Sequence, residues 1–142
     1  MMIGIYNFGR KKFDSAEFYL LKAIFVAKLS YSECYPELIV MLMNLSTIYE
    51  AQRRYTDAIM SLFSALNISI KVHGREHLNT AVIYSAIASL HYDIPDIGQA
   101  IKYQQKAILI LEKLLGNEDE RVSTAKSICE GYRNIQSSKK VR

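Results

Sequence analysis

Two histidines four positions apart, in the segment HGREH, have the spacing in this chain that is nearest to that of a metal-dependent hydrolase. Zinc proteases need HExxH on one helix, so that both imidazoles share a face and the glutamate acts as general base. Here Gly74 follows the first histidine, Glu76 stands in the wrong place and no third ligand is evident. We therefore interpret His77 as a residue that caps or packs a loop, and we predict no metal site and no cofactor.

The remaining reactive side chains are dispersed along the chain. No glycine-rich phosphate loop follows a strand, no serine lies in a nucleophile elbow, and no acid and base can be paired at one site. His91 lies in an apolar helical pattern, which predicts a satisfied core or groove residue. Cys34 and Cys129 are far apart in the sequence, which favours a reduced cytosolic protein over a disulfide scaffold. The sequence predicts a protein that is not an enzyme.

The composition indicates one globular domain. The chain has 142 residues, half of them hydrophobic, and a net charge of +4. This mild charge favours a solvated basic surface over a nucleic-acid interface. No apolar run approaches the roughly 18 residues that cross a membrane, and the start lacks the pattern of a signal peptide. We predict a cytoplasmic protein without membrane insertion.

Apolar residues recur at helical spacing through most of the chain, and no hairpin turn signal accompanies a strand pattern. The fold class is therefore all-α. Seven helices are predicted, over about Met1–Phe8, Phe13–Leu29, Pro36–Gln52, Tyr55–Val72, Leu78–Tyr92, Asp96–Leu115 and Asp119–Ile135.

Small residues repeat with a fixed period of 42 positions. Ala58, Ala65, Ile68 and Gly74 fall on Ala100, Ala107, Ile110 and Gly116, and in the other direction Tyr55, Ala58 and Ala65 fall on Phe13, Ala16 and Ala23. Such a period is typical of stacked helical repeats, whose units cannot bury their apolar faces alone. We expect the alanines to lie where helices cross closely, since a larger side chain there would cost about 1–3 kcal/mol.

These positions resemble the tetratricopeptide repeat. The resemblance rests on Leu45 and Tyr49 in a first helix and on Tyr55, Ala58 and Ala65 in a second helix. The segment GREHLNTA looks like the joint of the long repeat variant that occurs in kinesin light chains and clustered-mitochondria proteins. The segments YQQKA and GNEDER are similar to the clustered-mitochondria family in particular.

The resemblance implies a right-handed superhelix of antiparallel helix pairs, a tetratricopeptide repeat solenoid with about three repeats. The domain would cover residues 1–136, with units at 1–35, 36–77 and 78–118, a capping helix at 119–136 and a flexible basic tail at 137–142. The chain departs from the repeat where glycine is usual at the turn, since Lys11, Arg53 and Pro95 stand there. The first unit also lacks the start of its first helix. This predicts an excised fragment or a divergent array end, and self-association through the exposed end.

In such arrays the first helix of each unit lines the concave side, where an extended peptide binds. The predicted groove residues are Met43, Asn44, Thr47 and Glu50, then Ser85, Ser89 and Tyr92, and finally Lys126, Cys129, Glu130 and Arg133. Asn44 offers a peptide backbone both a donor and an acceptor, whereas Lys126 and Arg133 would hold an acidic group. The alternative for each residue is a solvated helix face.

The sequence therefore predicts a protein–protein interaction module of a clustered-mitochondria-like cytosolic protein. That resemblance implies a role in mitochondrial distribution and an association with translation or messenger RNA. Two alternatives stay open: a cargo-peptide adaptor like kinesin light chain, and an RNA-binding helical surface.

Overall fold

A computed structural model describes the backbone over residues 2–32 and 35–141, and the side chains over 12–32 and 35–139. Cys34 lies outside the described residues. Within the described ranges there are six α-helices and no strand, which confirms the all-α prediction. The helices are α1 (Met2–Ser30), α2 (Glu37–Ala51), α3 (Tyr55–His73), α4 (Leu78–Asp93), α5 (Ile97–Leu115) and α6 (Glu120–Val141). None of the described helices has the length and apolar character to cross a membrane.

The first helix is longer than predicted. A single helix runs over Met2–Ser30, so the prediction of two helices separated near Gly9 was wrong. One glycine costs a helix only about 1 kcal/mol, and the lysines that follow Gly9 are good helix formers. The predicted end of the last helix at Ile135 was also wrong, because α6 continues to Val141.

The chain divides into two compact units, residues 1–68 and 69–142, with the boundary inside α3. In the first unit, α1 packs against α2. The predicted apolar stripe of α2 is buried, from Leu38 to Tyr49. Ala58 and Ala65 of α3 have no exposed surface, as their spacing predicts.

Polar contacts to α1 fix the turn between α2 and α3. The side-chain amide of Gln52 donates to Asp14 Oδ1 (3.1 Å) and to Glu17 Oε2 (3.2 Å). The Arg54 guanidinium pairs with Glu17 at 2.8 Å and lies 4.4 Å from the ring centre of Tyr49. Arg53, at the turn position where glycine is usual, has a φ of 60° in the left-handed region.

In the second unit, α5 packs between α4 and α6. Ala100 and Ala107 have no exposed surface, which confirms the close crossings expected there. The buried side chain of Gln104 donates to the carbonyl of Ala125 at 3.1 Å and so ties α5 to α6. The same expectation was wrong at Ala16 of α1, which is exposed.

The first joint, residues 74–80, connects α3 to α4. Gly74 has a φ of 95°, and Nδ1 of His77 accepts from the backbone N–H of Asn79 at 3.0 Å. The Thr80 hydroxyl donates to the carbonyl of Gly74 at 2.9 Å and therefore accepts from the Ser69 hydroxyl, also at 2.9 Å. The prediction that His77 caps or packs this loop is confirmed, since it is the N-cap of α4.

The second joint, residues 116–122, connects α5 to α6 and lies 42 positions further on. Gly116 has a φ of 81°, and Asp119 Oδ1 accepts from the backbone N–H of Arg121 at 2.9 Å. The Arg121 side chain bonds back to the same carboxylate at 3.1 Å. Val122, which takes the place of Thr80, is fully buried. The two joints therefore place α4 after α3 and α6 after α5 with the same backbone scheme.

Candidate protein-binding groove

An open groove of about 500 Å³ lies between α5 and α6 in the second unit. We call it the α5–α6 groove, and it is lined by Gln105, Ile108, Leu109, Glu112, Lys126, Cys129, Glu130 and Arg133. The second joint and the Gln104–Ala125 hydrogen bond hold the two helices that form it. Leu109 is 66% exposed, so the groove offers an apolar surface to a ligand.

Charged pairs form the rim of the groove. Lys126 Nζ lies 2.7 Å from Glu112 Oε1, and Arg133 lies 3.7 Å from Glu130 of the same helix. Lys126 and Arg133 were predicted to bind an acidic group of a partner, but within the chain each already lies near a carboxylate. Pairs this exposed are worth at most about 1 kcal/mol, so an incoming carboxylate or cation can replace either member.

Cys129 lies beneath this rim, with 2% of its surface exposed. Burial raises the pKa of its thiol, and Arg133 offsets this only in part. A thiol held in its protonated form is a poor nucleophile and a poor metal ligand. Cys129 therefore contributes apolar surface to the groove.

The predicted residues of α4 lie outside this groove. Ser85 is half-buried and Ser89 is exposed. The ring of Tyr92 stacks on Tyr132 of α6, with the ring centres 5.4 Å apart. Burial raises the pKa of Tyr132, as does the nearby charge of Asp93. The stack joins α4 to α6 and occupies one face of Tyr92.

His91 supports the packing of α4 on α5. Its ring is parallel to that of Tyr103, with centres 5.4 Å apart, and Tyr84 and Lys106 complete this cluster. Burial lowers the pKa of His91. His91 is half-buried, so it is not a fully buried core residue, and the prediction of a satisfied core or groove residue was wrong for Nδ1, which is buried without a hydrogen-bond partner.

The predicted residues of α2 belong to the first unit. Asn44, Thr47 and Glu50 are exposed, whereas Met43 is half-buried. The Thr47 hydroxyl donates to the carbonyl of Met43 at 3.2 Å, so its bonding capacity is partly used within α2. A partner-binding role for this set stays a prediction.

Sequence reasoning missed the α5 side of the groove, namely Gln105, Ile108, Leu109 and Glu112. It assigned binding to the first helices only, whereas this groove lies between a first and a second helix. A signal was present in the repeat period. Lys126 and Arg133 fall on Tyr84 and His91, which face α5, so the same positions of α6 should face a further helix.

Comparison with known proteins places this geometry in a family. The model of the tetratricopeptide repeat family matches residues 37–113. The chain is also similar to the clustered mitochondria protein homologues of Homo sapiens and Aedes aegypti. It is 22% identical to the human protein over 121 residues and 25% identical to the mosquito protein over 119 residues. These alignments cover 85% and 84% of the chain, but only 9% and 8% of the relatives.

The crystal structure of BtubC (BKLC) from P. vanneervenii is similar to the structure of this chain. The TM-score is 0.71 at 17% sequence identity, with 92% of this chain and 59% of that chain covered. This likeness supports the fold as a helical repeat solenoid.

Proposed function

The chain belongs to the tetratricopeptide repeat family, and from this premise we propose that it is a protein-binding module within a clustered-mitochondria-like protein. Domains of this family bind other proteins. The curated relatives that match carry the clustered-mitochondria name, although the chain spans less than a tenth of the length of the human protein. Binding, not catalysis, is the activity proposed for the module.

The observation that carries the proposal is the α5–α6 groove. Leu109 and Ile108 give it an apolar wall on α5, and the Glu112–Lys126 pair and Arg133 give it a charged rim. An apolar anchor with charges around it is the usual composition of a protein-binding site. We propose that a partner buries an apolar side chain against Leu109 and exchanges charges with the rim.

The parent protein would act in the cytoplasm, in mitochondrial distribution and in association with translation or messenger RNA. The support for this finer role is the name and the alignment of the relatives. The module would serve this role by recruiting a partner. The residues of α2 and α4 predicted from the sequence, above all Asn44 and Ser89, would extend the contact surface.

Partner capture with matched variants tests the proposal. Leu109→Arg places a charge on the groove wall, while Val82→Arg places the same charge on exposed surface of α4. We expect proteins captured by the wild type and by Val82→Arg to be lost with Leu109→Arg. Equal capture by all three would reject the groove as the binding site.

A replacement experiment tests the cellular role. The matching segment of the human relative would be exchanged for residues 1–142 in cells that lack the endogenous protein. We expect the wild-type segment to restore mitochondrial distribution and the Leu109→Arg segment to fail. If both segments restored mitochondrial distribution, the cellular role would not depend on the α5–α6 groove.

The two alternatives are distinguished by their ligands. If the chain is a cargo adaptor, the isolated module should bind one class of short peptide, and Leu109→Arg should abolish that binding. An RNA-binding surface would lose affinity steeply as salt rises. On the groove rim, Lys126 and Arg133 each face a carboxylate, which does not favour a polyanion there.

A further inference from the structure

One side of α1 has the pattern of a helix that packs closely, yet all of its residues except the half-buried Ala23 are exposed. We call it the α1 face and define it by Phe13, Ala16, Tyr19, Ala23 and Val26. The period of 42 positions aligns this face with residues 55, 58, 61, 65 and 68 of α3, and with residues 97, 100, 103, 107 and 110 of α5.

Burial differs sharply between these aligned positions. The alanines at 58, 65, 100 and 107 have no exposed surface, whereas Ala16 is exposed. Tyr19 is 69% exposed, although the aligned Ser61 is buried. Tyr19, Ala23 and Val26 line a groove of about 480 Å³ between α1 and α2. The α1 face therefore has the residues that contact a first helix of a pair, but it is uncovered.

The α5–α6 groove has the opposite character. Its α6 wall consists of Lys126, Cys129, Glu130 and Arg133, which align with Tyr84, Ile87, Ala88 and His91 of α4. In α4 these positions face α5. Ile87 and Ala88 have no exposed surface, and His91 stacks on Tyr103. The α5–α6 groove is therefore the place on α6 that corresponds to the surface of α4 against which α5 packs.

We propose that α1 of one copy of this chain docks in the α5–α6 groove of another copy, so that α6 and the incoming α1 form a helix pair between molecules. This inference rests on the binding role proposed for the groove and names its partner. By the alignment, the ring of Tyr19 would pack against α6 as the ring of Tyr103, in α5, packs against α4. Arg133 then stands at the position of His91, and Lys126 at that of Tyr84.

The side chains that this docking would bring together on α1 and α6 are chemically complementary. On α4, the Tyr103 ring meets another aromatic ring and an imidazole. On α6, the aligned positions carry a guanidinium and an ammonium group, and cations bind the face of a tyrosine ring favourably. Ala16 and Ala23 would permit the close approach that Ala100 and Ala107 permit within the chain.

The proposed contact is heterologous, because each copy contributes the α1 face to one neighbour and the α5–α6 groove to another. Such contacts build rings or open filaments, whereas an isologous contact stops at a dimer. The contact therefore predicts a mass that rises with concentration. It also predicts that blocking either surface leaves the other one functional.

The first experiment is analytical ultracentrifugation of the 142-residue chain over a range of concentrations. We expect the mass of the wild type to rise with concentration, and Ala16→Arg and Leu109→Arg each to abolish this rise. The matched controls are Val40→Arg and Val82→Arg, at exposed positions 42 residues apart that belong to neither surface. Both controls should associate like the wild type. Circular dichroism should show equal helix content, since all four positions are exposed.

The second experiment mixes the two blocked variants. Ala16→Arg retains an intact groove and Leu109→Arg retains an intact α1 face, so an equimolar mixture should form a one-to-one heterodimer of twice the monomer mass and nothing larger. A monomeric wild type, a mixture that stays monomeric, or association of Leu109→Arg alone would overturn the proposal. If the mixture stays monomeric while Leu109→Arg still loses captured partner proteins, the proposed function stands and only the self-docking fails.

Discussion

The first and second joints have one backbone scheme and two different sets of side-chain contacts. Both have a glycine at positive φ and a side chain that accepts the N–H two positions further on. The first joint adds a buried chain of hydroxyls from Ser69 through Thr80 to the Gly74 carbonyl. At the aligned positions, α5 has Leu111 and the second joint has the buried Val122, and the cap of the second joint has an ion pair. The comparison indicates that backbone geometry defines the joint, while its stabilisation can be polar or apolar.

Removing the Thr80 hydroxyl should have the largest effect. Thr80→Val copies the second joint but leaves the Ser69 hydroxyl and the Gly74 carbonyl without their partner. Unsatisfied buried groups cost about 1–3 kcal/mol each, so we expect a loss of about 2–3 kcal/mol in the free energy of unfolding. Urea denaturation measures this loss, and Thr80→Ser, which keeps the hydroxyl, should lose less. A change of only a few tenths for Thr80→Val would show that the hydroxyl chain contributes little.

The two glycines should be the next most sensitive positions. An added Cβ at Gly74 or Gly116 meets no atom within 4 Å, so only backbone strain opposes it. Gly116 has φ 81° and ψ 162°, a region nearly exclusive to glycine, and Gly116→Ala should cost about 1–3 kcal/mol.

Gly74→Ala should cost about 1–2 kcal/mol, as is usual for a residue forced to positive φ. The control is Gly131→Ala, within helix α6, where no neighbour is close and the change should stabilise by up to about 1 kcal/mol. If Gly74→Ala, Gly116→Ala and Gly131→Ala changed the melting temperature equally, the positive φ would not be the cause of the destabilisation.

Exchanging the caps should have a smaller effect. His77→Ala removes the acceptor for the Asn79 N–H and should cost about 1 kcal/mol, as other N-caps do. His77→Asp installs the cap of the second joint and should match or slightly exceed the wild type, because a carboxylate also favours the helix N-terminus. Thermal unfolding compares the three. A destabilised His77→Asp would mean that the stacking of His73 on His77, at 4.4 Å between ring centres, contributes more than the cap.

The smallest expected effect is a pH dependence at the cap of the second joint. Hydrogen bonds from the side chain and backbone of Arg121 lower the pKa of Asp119 below its usual value. The ionised form is therefore favoured in the folded state, and its contribution is present above the unfolded pKa and is lost as pH falls through the folded value.

Asp119→Asn keeps an oxygen acceptor but removes the charge. We expect it to melt below the wild type at neutral pH, with the difference shrinking as the solution is acidified below about pH 4. A constant difference across the titration would assign the effect to geometry instead of charge.

The sequence predicted the close crossings because small residues recur at fixed positions, and Ala58 and Ala100 are buried as expected. It missed the continuity of α1 through Gly9, although a glycine is energetically tolerable inside a helix. The exposure of Ala16 was also missed. A residue type reports the contact that a position permits, and not whether a neighbour is there to make it.

The candidate site was partly predictable for a similar reason. Lys126 and Arg133 followed from helical spacing, and the pair of Arg133 with Glu130 spans only one helical turn. The pairing of Lys126 with Glu112 depends on how α6 packs against α5, which local spacing does not encode. Leu109 was missed because its position on a second helix suggested structural packing, although it is largely exposed.

The shielded sulfur of Cys129 has a practical consequence for studying motion. We expect a thiol with 2% exposure and a raised pKa to be alkylated slowly, and mainly during local openings that expose it. With Cys34 replaced by serine, the rate of alkylation of Cys129 reports the frequency of these local openings without any added spectroscopic label. A molecule that binds over Cys129 should lower this rate.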